Sequence, residues 1–475
     1  MNSFKASWCK HSLRMVSSST SSQQVPTKWL QRVTEDQSEP PRLYAWRLTN
    51  LLDGANPDSA NYARKSPKVG EIPNLDDERR RIYILGIGNI GRLYASFLAK
   101  NDPRPPITLV VHRRELLDQW KAHPGIELVR DGKTEWNPSF RIEWWTDTYP
   151  AHGLVREPGS GYGISNLIIA TKAPDAIPQV DCVRRYLGGS STVAFAQNGM
   201  CKLWPPLGKA YVAARFGKGK GPRWLACVTT HGVTSLGPFR SVHASPADVR
   251  VGSVMVREDG WDGSDNDGDK DDYLAEQIVG APGLNARRVA TRELWVAQLE
   301  KLVVNAVINP LTAVLMCKNG EVFEERGDGL GGVVEMLVEE ASRTLRALVG
   351  HRSSENILLA QDKDRKGGVA IGAATEESLE RTREGLVERF SSARLRTMLY
   401  SVGEKVAANT SSMLQDVRAG KKTEIEDFNG WLVETARYLG DEGGLPVNQK
   451  LISLVEDGAV RTRGELVKEL QISRS

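Results

Sequence analysis

Arg81-Ile82-Tyr83-Ile84-Leu85-Gly86-Ile87-Gly88-Asn89-Ile90-Gly91 is a short β-type run followed at once by three glycines in the spacing G-x-G-x-x-G. From Gly86 to Lys100 the pattern predicts a turn and then an amphipathic helix, so the unit reads strand, tight turn, helix. A side chain at Gly88 would block the close approach of a pyrophosphate, and a bulky one at Gly91 would push the helix off its sheet. The N–H groups that open the helix, around Asn89 and Ile90, and the helix dipole then hold negative charge. A second apolar run, Ile107–Val111, lies about 20 residues on, as a βαβ nucleotide-binding unit requires. Further short apolar runs at 167–170 and 192–196, with helical or loop segments between them, extend the alternation. The predicted fold class is α/β: a Rossmann-type, doubly wound parallel sheet over 81–291. From 292 to 475 the apolar period is helical, which predicts an all-helical domain. Residues 1–80 read as an irregular extension, and 257–272 and 353–383 as loose insertions.

The end of the second predicted strand discriminates between cofactors. An Asp or Glu there would bond a ribose 2′-hydroxyl; the chain instead offers His112, Arg113 and Arg114, which attract a 2′-phosphate. NADP(H) is therefore expected. Two other glycine clusters are discounted: 217–221 lacks the Ser or Thr of a phosphate loop, and 159–163 precedes a strand instead of following one.

Composition limits the function classes. In 475 residues, 63 Lys plus Arg stand against 59 Asp plus Glu, so no concentrated basic face for nucleic acid is signalled. No stretch approaches the roughly 20 apolar residues of a membrane span. Five dispersed cysteines and seven scattered histidines form no metal-ligand spacing, and none is expected. The acidic run 257–272 mimics a calcium loop. With Gly268 as its sixth position, however, Gly263 and Leu274 fall where the first and twelfth ligands belong, and the match fails. Residues 1–34 are basic, Ser-rich and free of acidic residues, which fits a mitochondrial transit peptide and equally an unstructured tail, so a cytoplasmic or a mitochondrial location stays open.

Polar residues stand out where the pattern wants apolar ones. Lys301, Asn305 and Asn309 recur every fourth residue along one helix that is otherwise almost wholly apolar, and Pro310 follows, predicting a kink or break. An unpaired buried lysine costs several kcal/mol. The stripe must therefore face a partner, a wet cleft or a ligand; asparagines bonding to kinked backbone and a functional site both satisfy this. Further on, Asn409-Thr410-Ser411-Ser412-Met413-Leu414-Gln415-Asp416 precedes Thr423-Glu424-Ile425. One of Thr410, Ser411 and Ser412 suits a helix cap, and Glu424 falls at the edge of a helical apolar face, within reach of a lysine.

These residues, together with Thr171-Lys172 and Gln197-Asn198-Gly199-Met200, resemble the ketopantoate reductase (2-dehydropantoate 2-reductase) family over roughly 81–456. The resemblance implies NADPH-dependent reduction of ketopantoate to (R)-pantoate, a step towards coenzyme A. It makes Lys301 the general acid and Glu424 the group that orients Lys301 or binds the substrate hydroxyl. Asn198, Asn305 and Asn309 would fix the substrate, Ser412 its carboxylate, and Arg113 and Lys172 the adenosine 2′-phosphate, with Asn198 also against the cofactor. The partner expected is a small-molecule 2-oxo acid, with no nucleic acid and no membrane span; a homodimer is left open. A reductase of another 2-oxo acid on the same fold, and a non-catalytic NADP(H)-binding regulator, are the alternatives.

Overall fold

The computed structural model describes residues 28–51, 75–217, 220–254, 272–360 and 376–472. Strands β1 (Tyr44–Trp46), β2 (Ile82–Leu85), β3 (Ile107–Val111), β4 (Ile126–Arg130), β5 (Lys133–Asn137), β6 (Arg141–Thr146), β7 (Asn166–Ile169), β8 (Thr192–Phe195), β9 (Arg223–Thr229), β10 (Gly232–Gly237), β11 (Arg240–Ser245), β12 (Val249–Ser253) and β13 (Ala286–Arg288) form two sheets. Helices α1 (Lys28–Glu35), α2 (Leu75–Arg80), α3 (Asn89–Leu98), α4 (Arg114–Ala122), α5 (Ala173–Val183), α6 (Gly208–Phe216) and α7 (Tyr273–Gly280) belong to the first half. The second half is helical: α8 (Thr291–Leu315), α9 (Leu330–Gly350), α10 (Glu355–Leu359), α11 (Glu376–Arg389), α12 (Ser392–Lys405), α13 (Ser412–Arg418), α14 (Ile425–Tyr438), α15 (Pro446–Glu456) and α16 (Arg463–Ile472).

The main sheet runs β1-β6-β3-β2-β7-β8-β9-β12-β13. Its six central strands are mutually parallel, and β2, β3, β7 and β8 are buried throughout. That burial explains their unbroken apolar sequence, because helices cover both faces. Alternation sorts the side chains. Tyr83, Leu85, Val110, Ile169 and Phe195 join one core cluster with Trp295, Leu299 and Leu302 of α8, whereas Ile84, Leu109, Ile168 and Ala194 join the other with Leu93 and Phe97 of α3.

The sheet differs from the expected wholly parallel one at both flanks. β1 runs antiparallel to β6 and β12 antiparallel to β9, the latter linked through the β10–β11 hairpin and not through a crossover helix. β1 also corrects the expectation that 1–80 is irregular throughout. At three residues it is too short to show a period, yet Ala45 and Trp46 are buried. A second sheet, β10-β11-β4-β5, lies against α3. Arg92 of α3 ties the two, bonding Gly237 O at 2.5 Å and Asn89 Oδ1 at 2.7 Å.

In the helical half, α8 packs on β9 and β12 and on α9, α12, α13, α14 and α15. The expected break at Pro310 does not occur: α8 is one helix of 25 residues. Proline removes the N–H that would have reached the carbonyl four residues back, at Ala306. Asn429 Nδ2 from α14 supplies the missing donor to Ala306 O at 2.8 Å. Asn429 is held in turn by Asn448, and Asn448 by the buried Glu340, whose carboxylate also accepts the N–H groups of Val447 and Asn448. Of the segment 353–383, residues 355–359 and 376–383 are helical, so a looser region is narrower than expected; 361–375 lies outside the described residues, as do 1–27 and 255–271.

Candidate active site

Two of the three glycines of the first turn are required by packing, and the third borders open space. Gly86 adopts φ +98°, and a Cβ there would stand 2.8 Å from the Ala170 carbonyl at the end of β7. A Cβ on Gly91 would come within 2.0 Å of Gly86 O, so the helix start and the turn could not close on each other. At Gly88, by contrast, a Cβ would meet nothing within 4 Å, and the residue is exposed. That open space is where a ligand's backbone approach is free. The first helical bond of α3 is Arg92 N to Gly88 O at 3.0 Å, which leaves the N–H groups of Asn89, Ile90 and Gly91 without a carbonyl partner inside the helix. The Asn89 side chain is engaged elsewhere, donating to Val233 O at 3.1 Å and accepting from Arg92, so only its main chain faces the turn. Ile90 packs its side chain into the core beneath.

Lys301 leaves α8 towards the carboxyl edge of the same sheet. It is half-buried, and its Nζ donates to Asn198 Oδ1 at 3.2 Å and to Thr229 O at 2.5 Å. Asn198 follows β8 and Thr229 ends β9. Thr229 is fixed from the other side by Tyr94 of α3, whose hydroxyl is 2.9 Å from Thr229 Oγ1. Desolvation pushes the ammonium down to about 8, with Glu424 and Asp248 pulling weakly the other way. Thr229 was absent from the sequence reading, and a backbone carbonyl at a strand end leaves no residue signature.

The rest of the stripe and the serine motif are arranged around α8. Asn305 is half-buried and Asn309 buried. Ser411, and not Ser412, caps α13: Ser411 Oγ accepts from Leu414 N at 3.1 Å. Thr312 Oγ1 donates to Asn309 O at 2.9 Å, so the proton between Thr312 and Ser411, 2.7 Å apart, comes from Ser411. Ser412 is left exposed at the first turn of α13.

Glu424 does not touch Lys301. It is buried, and Oε1 accepts from Ala173 N at 3.0 Å, capping α5 from the other half of the molecule; burial raises its carboxyl above the ordinary range. Lys172 is likewise committed across the boundary, to Asp416 at 2.8 Å and Lys422 O at 2.6 Å. It bridges to α13 instead of standing open for a phosphate. Arg113, at the start of α4, is exposed, and its guanidinium has no ion-pair partner among the described residues, while Arg114 stacks over Trp46 at 5.7 Å.

A dinucleotide fits this edge. Gly88 leaves room above the turn, Arg113 is exposed beside it, and two buried polar atoms at neighbouring strand ends, Thr171 Oγ1 and Gln197 Oε1, have no hydrogen-bond partner among the described residues. Both atoms are open to a hydrogen bond from a group bound at this edge.

Comparison with known proteins agrees with that layout. The family model for ketopantoate reductase PanE/ApbA matches residues 82–255, and the model for its C-terminal region matches 293–458. A ketoisovalerate reductase of Gibberella fujikuroi is 42% identical over 92% of this chain and 96% of its own. A probable 2-dehydropantoate 2-reductase of Schizosaccharomyces pombe is 25% identical over 80% of this chain and 98% of its own. Among solved structures, a D-mandelate dehydrogenase with NADH and anilino(oxo)acetate superposes with a TM-score of 0.53 at 16% identity, over 82% of this chain and 99% of that one, a likeness of fold. With both halves of the chain matched in order, this protein belongs to the ketopantoate reductase family of oxidoreductases.

Proposed function

We propose that the protein reduces a short, branched 2-oxo acid, ketoisovalerate foremost, with NADPH as hydride donor. The observation that supports the chemistry is the half-buried Lys301, its ammonium lowered to about 8 and aimed by Asn198 and Thr229 at the carboxyl edge. When bound, the nicotinamide would supply the hydride that reduces the ketone carbon. Negative charge then builds on the ketone oxygen, and Lys301 Nζ gives that oxygen a proton to yield the 2-hydroxy acid. Asn198 holds the ammonium in place. Asn305, Asn309 and the exposed Ser412 hydroxyl are the groups available to the substrate carboxylate. Arg113 would hold the adenosine 2′-phosphate of the bound cofactor, which would favour NADPH over NADH.

Ketoisovalerate is preferred because the relative with that name shares 42% of its residues across nearly the whole chain. Ketopantoate, the second reading, carries an additional hydroxymethyl group. One oxygen of Glu424, the acceptor suited to that hydroxyl, is occupied by the Ala173 amide. The test compares kcat/KM for the two acids with NADPH, and with NADH as control. A higher value for ketoisovalerate is expected. A higher value for ketopantoate would install the second reading, and NADPH binding without turnover of either acid would point to a regulator.

A further inference from the structure

The amino ends of β2, β3 and β6 carry a second charged region, on the edge opposite the glycine turn. A cavity of about 370 Å³ opens there, and Asp77, Arg80, Arg81, Arg104, Ser139 and Arg141 line it. Arg81 immediately precedes β2 and Gly86 immediately follows it, so strand rise alone separates the two regions by roughly 15 Å. Neither Arg113 nor any residue of the glycine turn reaches this cavity.

Its internal pairing leaves positive charge over. The buried Glu78 is shared by Arg81 at 3.1 Å and Arg141 at 3.4 Å. Arg104 donates to the Ser139 carbonyl and lies over the Phe140 ring at 5.5 Å, and Arg80 lies 6.0 Å from the Tyr273 ring centre. Among the described residues neither of these two guanidinium groups has a carboxylate partner. Four guanidinium groups therefore face two carboxylates, Asp77 and Glu78, an excess of two positive charges. Burial, with Arg47 and Arg81 adding to it and Glu143 and Glu78 opposing it, pushes the Arg141 guanidinium down, and burial does the same at Arg104. Like charges crowded in a partly desolvated cavity favour an anion in proportion to the repulsion it relieves.

We propose that this cavity is an anion site separate from the cofactor crevice, and that it takes a small phosphate- or pyrophosphate-bearing molecule. Guanidinium forks match the paired oxygens of a phosphoryl group, and the excess of two charges matches a dianion. The volume lies in the range of small-molecule sites. Asp77 at the rim gives a hydroxyl or amino group on the same molecule an acceptor.

The experiment uses the full chain saturated with NADPH, so that the cofactor crevice is filled, and follows pyrophosphate binding by calorimetry and by the thermal midpoint. Saturable one-to-one binding and a raised midpoint are expected. Arg104→Gln, on an exposed loop, should weaken pyrophosphate at least about ten-fold with the unliganded midpoint and kcat unchanged; Arg80→Gln serves as the independent second variant. Arg113→Ala, measured at its own saturating NADPH, should leave pyrophosphate affinity intact. Three results would overturn the proposal: no saturable binding in the NADPH-loaded protein, undiminished affinity in both the Arg104 and Arg80 variants, or citrate binding as tightly as pyrophosphate.

Discussion

At the scale of single residues, the proposed chemistry rests on one ammonium. Lys301→Ala should lower kcat by a factor of about 100 to 10,000 while NADPH still binds, because general-acid groups contribute on that order. Fluorescence titration with NADPH alongside steady-state rates separates the two effects, and near-normal turnover would remove the acid role. In the proposed mechanism the protonated form is the active one, so kcat/KM should hold below about pH 8 and fall above it as the ammonium titrates. Arg113→Ala should raise KM for NADPH far more than for NADH; equal losses would remove the 2′-phosphate contact. The glycine motif was legible because a strand precedes it, a helix follows it and a second strand lies about 20 residues on; the structure adds a packing reason at Gly86 and Gly91, whereas a Cβ at Gly88 meets nothing within 4 Å. Lys301 was readable because a charge in an apolar helix demands a reason. Its partner Thr229 was not, since a carbonyl carries no residue code. Lys172 and Glu424 were found by pattern, yet their actual partners, Asp416 and the Ala173 amide, depend on how two distant segments meet.

At the scale of elements, legibility followed length and burial. The buried central strands announced themselves as apolar runs, whereas β1 and the second sheet, short or half-exposed, did not. The proline in α8 was visible, but its outcome was not, because the remedy comes from Asn429, more than a hundred residues away. Asn429→Ala should leave Ala306 O unsatisfied in the core and destabilise the protein by about 1–3 kcal/mol. Adding Pro310→Ala restores a helical N–H to that carbonyl, so the double variant should be more stable than Asn429→Ala alone. Denaturant midpoints of the four proteins test this, and simple additivity would reject the pairing.

For the whole molecule, the join between the two sheets has a pH limit. His231 Nε2 lies 2.9 Å from Leu284 O and must therefore donate, which leaves Nδ1 to accept from Ala247 N and from His243 Nε2, each at 3.0 Å. His243 Nδ1 is buried with no hydrogen-bond partner among the described residues. Both rings are thus held neutral; burial lowers both, and His243, with His231 and Arg130 nearby, falls to about 4. A folded value below the unfolded 6.5 means that the stabilisation is complete above pH 6.5 and is lost as pH falls towards about 4. Thermal midpoints should drop between pH 7 and 5 more steeply in the wild type than in His243→Gln; parallel curves would dismiss the pair as the cause.

The core cluster that runs from the sheet into α8 sets a boundary on dissection. β9 and β12 lean on α8 for cover, and α8 carries Lys301 back to the ends of β8 and β9. A gene cut at residue 291 would yield two sticky fragments and no working part, while a graft that exchanged everything after that point would replace Lys301 and the helices around it, and with them the proposed proton donor, beside an unaltered glycine turn.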